Sequence, residues 1–155
     1  MTSVLWILAA MIAVFAAGAA LIAGVRRWEQ RQIRQAVRNF RFRREALEAR
    51  FLDLARTLGK PRGLRWRECD WLESTTFARD RTSGLITAFV GINIHFEAIE
   101  GGDMEDVAAV GTVRDAVALF HFQNGAWGTG GKALFNMNPE DAVTRLVAQY
   151  DRLPG

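Results

Sequence analysis

The first 25 residues contain no charged side chain, and this constrains the chain more than any other feature of its sequence. The apolar run from Val4 to Val25 would form a helix of roughly 33 Å at about 1.5 Å per residue, enough to cross a hydrocarbon core of about 30 Å. A cleaved signal peptide is the alternative, but its apolar run is shorter, about 7–15 residues, and follows a positively charged stretch. We therefore predict a retained transmembrane helix over residues 4–25, behind a tail of residues 1–3.

The residues that flank this run predict its orientation. Tryptophan is enriched at membrane–water interfaces, and one tryptophan lies near each end of the run. Arginines follow the run and none precedes it, so the positive-inside rule places the N-terminus outside and the C-terminal part in the cytoplasm. The predicted interface residues are Trp6, Arg26, Arg27, Trp28 and Arg31. The predicted location is a membrane that the chain crosses once.

Charge is divided unevenly along the rest of the chain. Residues 26–62 contain 12 Lys or Arg and 4 Asp or Glu, a net of +8, whereas residues 63–155 contain 8 and 13, a net of −5. A nucleic-acid-binding protein carries its basic charge on the folded domain, so the acidic C-terminal part predicts no nucleic-acid partner. The single cysteine, Cys69, allows no internal disulfide and no Cys-rich zinc site.

Residues 26–59 are predicted to form a basic amphipathic helical arm. No Gly or Pro lies between Trp28 and Leu58, and apolar side chains recur there at alternating spacings of four and three, the heptad pattern. Gly59 and Pro61 are predicted to end the helix. Arg44 occupies one position of the apolar seam, which otherwise consists of Ile33, Val37, Phe40, Leu47, Phe51, Leu54 and Leu58.

Three interpretations of this seam are open from the sequence. We favour packing against a second copy as a parallel coiled coil. The seam would otherwise dock onto the C-terminal domain as a core helix, or the basic part from Trp28 to Arg44 would lie along the lipid headgroups. Arg44 indicates either a partly open interface or an ion pair at that position. The predicted partners are therefore the membrane, further copies of the chain, or another protein.

Residues 60–155 are predicted to be a small α+β domain behind a short linker. Alternating hydrophobicity predicts strands over residues 64–71, 75–80, 85–99, 110–123 and 126–135. Asn138 and Pro139 predict the start of a helix, whose apolar stripe runs through Tyr150 to Leu153. The fold class is thus α+β, with an antiparallel sheet of about four or five strands and a C-terminal helix.

Two polar constellations are candidates for chemistry. His95 and Glu97 share one face of the 85–99 strand, and His121 would join them if the two long strands paired in a suitable register. Two imidazoles and one carboxylate are a metal-ligand set, although the same residues also suit a solvated sheet face. The acidic Gly-rich loop that follows offers oxygen ligands for a hard cation, and its candidates are Asp103, Glu105 and Asp106.

No nucleotide or other cofactor is predicted. The stretch from Gly128 to Lys132 fails the Walker pattern, because Ala126 and Ala133 occupy two of its defining positions.

These features together predict a single-pass membrane-anchored protein that displays a small cytoplasmic interaction module and self-associates through its helical stalk. The alternative hypothesis is a membrane-tethered enzyme or a small-ligand or metal-binding domain that uses His95, Glu97 and His121. Of the two, the interaction module is favoured over the enzyme.

Overall fold

A computed structural model describes residues 2–58 and 63–154 as an α+β protein with one long helix, an antiparallel sheet of six strands and a short second helix. The predicted fold class is confirmed, with one strand more than expected. The elements in chain order are α1 (Thr2–Leu58), β1 (Leu64–Asp80), β2 (Ile86–Ala98), a 3-10 turn (Ala108–Gly111), β3 (Arg114–Gln123), β4 (Ala126–Gly128), β5 (Ala133–Phe135), α2 (Pro139–Arg145) and β6 (Tyr150–Arg152).

The chain divides into two compact units, residues 1–35 and residues 36–155, and α1 runs through both ranges. In the first unit the helix begins at Thr2, inside the predicted tail. Its large apolar side chains from Trp6 to Val25 are between 51% and 84% exposed. Among the described residues, this is one helix long and apolar enough to cross a membrane.

In the second unit the strand order is β4-β3-β2-β1-β6, and β5 pairs with β3 further along the edge that β4 also occupies. The strands predicted over 64–71 and 75–80 are one strand, β1, of 17 residues. Two irregularities in its pairing with β2, at Trp66/Glu68 and Trp71/Thr75, absorb the extra residues. At the second, β1 lies so close to Gly91 that a Cβ there would clash with Ser74 Oγ.

Three predicted element boundaries are wrong. The 110–123 strand begins only at Arg114, because the residues before it form the 3-10 turn. The 126–135 strand is divided into β4 and β5. The C-terminal helix ends at Arg145, and Tyr150 begins β6, which pairs with the end of β1. The predicted helix end at Gly59 and Pro61 lies outside the described residues.

The part of α1 from Ala36 to Leu58 covers one face of the sheet. Phe40 contacts Phe77, Phe120 and Trp127, with ring centroids 5.7, 5.5 and 4.9 Å away. Trp127 Nε1 donates a hydrogen bond of 2.8 Å to the Ala36 carbonyl. On the opposite face, α2 and β6 close a second apolar cluster of Ala78, Phe89, Val117, Leu119, Ala142, Val143 and Tyr150.

This docking accounts for the helical seam of the second unit. Val37, Phe40, Leu47 and Phe51 are buried, Leu54 is half-buried, and Leu58 is 70% exposed. Ile33, in the first unit, is also buried. Residues 36–58 therefore follow the docking interpretation of the seam, whereas self-association of the chain stays a prediction.

The Gly-rich stretch between β4 and β5 brings the chain against the helix. Gly131 has a φ of +71°, and a Cβ there would lie 2.8 Å from both Ala55 N and Leu54 Cβ. Thr129 Oγ1 holds this turn, because it donates to the Leu119 carbonyl at 2.8 Å and accepts from Gly131 N at 3.1 Å. The close approach of this backbone to α1 thus accounts for the glycine.

We expect Gly131→Ala to lower the free energy of unfolding by about 2–4 kcal/mol, since it adds left-handed strain and overpacking against α1. Urea unfolding followed by tryptophan fluorescence measures this change. Gly130→Ala is the matched control, because a Cβ at Gly130 meets no atom within 4 Å. Equal stability of the two variants would contradict the assigned contact.

Candidate functional site: a cleft along the open edge of strand β1

One edge of β1 is only partly paired. Strand β6 pairs with Ala78–Asp80, on the side of β1 opposite β2. Leu153 N donates to the Phe77 carbonyl at 2.9 Å, so Phe77 directs this backbone group to the outer edge. Residues of an antiparallel strand alternate in the side to which their backbone groups point, so Thr75 faces the same edge. Within the described ranges, no strand pairs with that edge between Leu64 and Thr76.

Two arginines of α1 cover carbonyl groups on this strand. Arg44 donates to the Leu72 carbonyl at 2.5 Å, and Arg56 donates to the Arg67 carbonyl at 2.8 Å. Charged side chains and bulges are the usual means by which an edge strand avoids uncontrolled pairing. Strand β1 has both, and one uncovered part of its edge lies between Leu72 and the residues that pair with β6.

A cleft of about 660 Å³ opens at this uncovered stretch, between α1, β1 and the C-terminal segment. Its volume is within the range of about 300–1,000 Å³ typical of ligand-binding pockets. The aromatic rings of Phe40, Trp71 and Phe77 line its apolar part, and charged side chains from α1, β1, α2 and β6 line the rest. The remaining lining residues are Arg41, Arg44, Glu45, Glu48, Glu73, Thr75, Thr76, Glu140, Arg152 and Leu153.

Some of the charges in the cleft are neutralised within the chain. Arg44 pairs with Glu48 at 2.6 Å, which is the ion pair indicated by its position in the seam. Arg152 pairs with Glu140 at 2.5 Å, and Glu140 also accepts a hydrogen bond of 3.2 Å from Thr76 Oγ1.

Three charged side chains of the cleft have no such partner. Among the described residues, none forms an ion pair or hydrogen bond with the side chains of Arg41, Glu45 or Glu73. The unpaired charge lining the cleft is therefore one positive and two negative groups.

The strand register does not bring the two predicted histidines together. His95 is opposite Glu68 of β1, and its Nε2 lies 2.8 Å from Asp70 Oδ2. His121 is opposite Thr87 of β2. Thr87 precedes His95 by eight residues on β2, so the two positions are roughly 26 Å apart at about 3.3 Å per residue. His121 Nδ1 lies 3.0 Å from Thr87 Oγ1.

The remaining candidate residues have separate surroundings. Glu97 forms an ion pair of 2.7 Å with Arg65. In the loop after β2, Glu105 accepts a hydrogen bond of 2.9 Å from Gly101 N, and Asp103 and Asp106 are exposed. No group of three His, Cys, Asp or Glu residues placed to hold a metal occurs in the part of the chain that the structure describes. The predicted interface residues Trp6, Arg26, Arg27, Trp28 and Arg31 are all exposed in the first unit.

The lone thiol is poorly suited to nucleophilic chemistry. Burial, followed by the charges of Asp70 and Glu48, raises the pKa of Cys69 to about 12. The reactive form of cysteine is the thiolate, so this thiol stays protonated near neutral pH.

Of the residues that line the cleft, the sequence patterns single out only Phe40 and Arg44, both as positions of the helical seam. One sequence feature does indicate the position of the cleft, namely the break between the predicted strands 64–71 and 75–80. Leu72, Glu73 and Ser74 lie at this break and form the irregularity of β1 beside the cleft. The contribution of α1 had no signal of its own, since the heptad pattern does not identify what the seam packs against.

No protein-family model, no curated protein and no solved structure matches the chain. The long apolar helix and the cleft are therefore the observations from which a function can be inferred.

We expect the free energy of unfolding to decrease as the pH falls below about 6.5, and His121 to contribute to this decrease. Burial lowers the pKa of His121 from its ordinary 6.5; Asp80 opposes this shift and Lys132 adds to it. The unfolded state therefore takes up a proton at a higher pH than the folded state does, so the stabilisation is complete above 6.5 and is lost below it. Urea unfolding between pH 7.5 and 5.5 should give a flatter profile for His121→Gln than for the original chain, and identical slopes would contradict this assignment.

Proposed function

We propose that the chain is a single-pass membrane protein that displays the α+β unit of residues 36–155 on the cytoplasmic face as a protein-interaction module. The exposed apolar surface of α1 between Trp6 and Val25 carries this proposal. Such a helix satisfies its own backbone groups, as a lipid environment requires, and its apolar side chains would be costly to leave in water. The arginines that follow favour the cytoplasmic orientation of the rest of the chain.

The partly open edge of β1 supports a binding role for the module. Strand edges bind extended segments of other proteins through backbone hydrogen bonds, and neighbouring pockets select side chains. The β1 edge is open between Leu72 and the residues that pair with β6, and a cleft lined by aromatic and charged side chains lies beside it. Membrane attachment would raise the local concentration of this module near partners at the same surface.

Self-association is proposed for the part of α1 before Ala36. The apolar seam from Val37 to Phe51 is covered by the sheet of the same chain, whereas Ala16, Ala20 and Gly24 are spaced by four and exposed. Small residues at this spacing let two membrane helices approach closely. Pairing would place two modules side by side and strengthen weak contacts through effective concentration.

We expect the full chain to stay with membranes after alkaline carbonate extraction, and a C-terminal tag to resist protease added to intact cells. Ile12→Arg with Phe15→Arg should release the chain, because an arginine at the centre of a span costs about 2.5–3.5 kcal/mol. Phe42→Arg is the control, since Phe42 is 93% exposed and lies outside the apolar run. Release of the original chain by carbonate would contradict anchoring, and loss of the tag would contradict the orientation.

We expect Ala20→Leu with Gly24→Leu to weaken dimerisation in detergent about tenfold, which corresponds to about 1.4 kcal/mol, because the larger side chains separate the helices. The mass of the full chain from light scattering measures this over a range of concentrations. Gly18→Leu introduces the same side chain on another face of the helix and should leave the mass unchanged. A monomer at every concentration of the original chain would remove self-association from the proposal.

A further inference from the structure

The geometry points to the cleft beside β1 as a binding site for a short extended segment of a partner protein that carries a basic side chain. This inference rests on the proposed function and adds the location of the site and the chemistry of its ligand. The segment would continue the sheet at the edge of β1, in line with β6.

The backbone of β1 provides the first part of this argument. Strand β6 extends the outer edge as far as the bond from Leu153 N to the Phe77 carbonyl, and Arg44 covers the Leu72 carbonyl. Between these two points Thr75 directs its N–H and C=O to the open edge, as strand alternation requires. A polypeptide in extended conformation supplies both a donor and an acceptor to such a position.

The shape of the cleft explains why the site is short. Arg56 covers the Arg67 carbonyl, and the irregularity from Leu72 to Ser74 interrupts the regular edge. These features disfavour pairing of a long strand along the whole of β1, and the cleft of about 660 Å³ has room for a few residues. This restriction favours a defined segment of a partner over open-ended sheet growth.

The lining of the cleft combines aromatic and charged side chains. Trp71 is half-buried and offers apolar surface to a ligand, whereas Phe40 and Phe77 are almost completely buried beneath the cleft. Glu45 and Glu73 line the cleft without an ion-pair partner among the described residues, whereas Arg44 and Arg152 are already neutralised by Glu48 and Glu140.

The excess of unpaired carboxylates over the single unpaired guanidinium, Arg41, selects a lysine or arginine on the ligand. An acidic segment would bring like charges together and be repelled. The ligand chemistry is therefore an extended segment that carries a basic residue.

The test uses the full chain in a non-ionic detergent and two fluorescent peptides, one alternating valine and lysine and the other alternating valine and glutamate. Fluorescence anisotropy should show binding of the lysine peptide alone. Glu45→Lys with Glu73→Lys should weaken this binding about tenfold, because two exposed ion pairs become repulsions.

The matched control is Asp53→Lys with Asp103→Lys, which makes the same change in net charge at two exposed positions that do not line the cleft. The control pair should bind the lysine peptide as the original chain does. Hydrogen exchange of the amides between Glu73 and Phe77 should slow when the peptide is bound, while exchange between Leu64 and Asp70 should not change.

Four results would overturn the assignment: absence of peptide binding, equal loss of binding in the control pair, binding without protection between Glu73 and Phe77, or dissociation of a dimer by the Glu45 and Glu73 changes. The last would show that a second copy of the chain occupies the cleft. Carbonate extraction of the same variants separates the two proposals. A chain that stays in the membrane and binds no peptide contradicts the cleft alone, whereas a chain released by carbonate contradicts the anchor.

Discussion

The packing of Phe40 and Phe51 against the sheet is the interaction on which the rest of the α+β unit depends. Both rings are almost completely buried, and each contacts aromatic side chains of more than one strand. Burial of large aromatic side chains is among the strongest stabilising contributions in a small domain. Because these two positions are separated by three turns of α1, they fix the direction of the helix across the sheet as well as its distance from it.

The position of this helix determines what the edge of β1 can do. Arg44 and Arg56 reach the carbonyls of Leu72 and Arg67 only because the buried face of α1 is already held by Phe40 and Phe51. The same placement provides one wall of the cleft, through Arg41 and the residues that follow it. Helix α1 therefore both stabilises the core and covers part of the edge of β1.

The sequence patterns predict which face of a strand or helix a residue lies on better than they predict which residues that face packs against. Alternation correctly places His95 and Glu97 on one face of β2, but the partner of each residue depends on register, and register separates His95 from His121. The heptad pattern predicts a buried helical stripe, yet a stripe of this width is satisfied equally by another helix and by a sheet. The predicted C-terminal helix is too long for a related reason. Tyr150 has the spacing of a buried helical position, but it pairs with the edge of β1 and so belongs to a strand. The charge-free run before Val25 is predictable because no register or partner is needed to interpret it.

The basic character of the arm has more than one physical origin. Arg44 and Arg56 form specific hydrogen bonds to the edge of β1, and Arg44 is further held by Glu48, so these guanidinium groups belong to the folded unit. Arg26, Arg27 and Arg31 lie in the first unit and are exposed, as residues at an anionic headgroup layer would be. A net charge of +8 over residues 26–62 is therefore not evidence for a single polyanion-binding surface. The role of each arginine follows from the atoms that its side chain contacts and not from the local net charge. In this chain some arginines protect a strand edge, and others lie beside the apolar run.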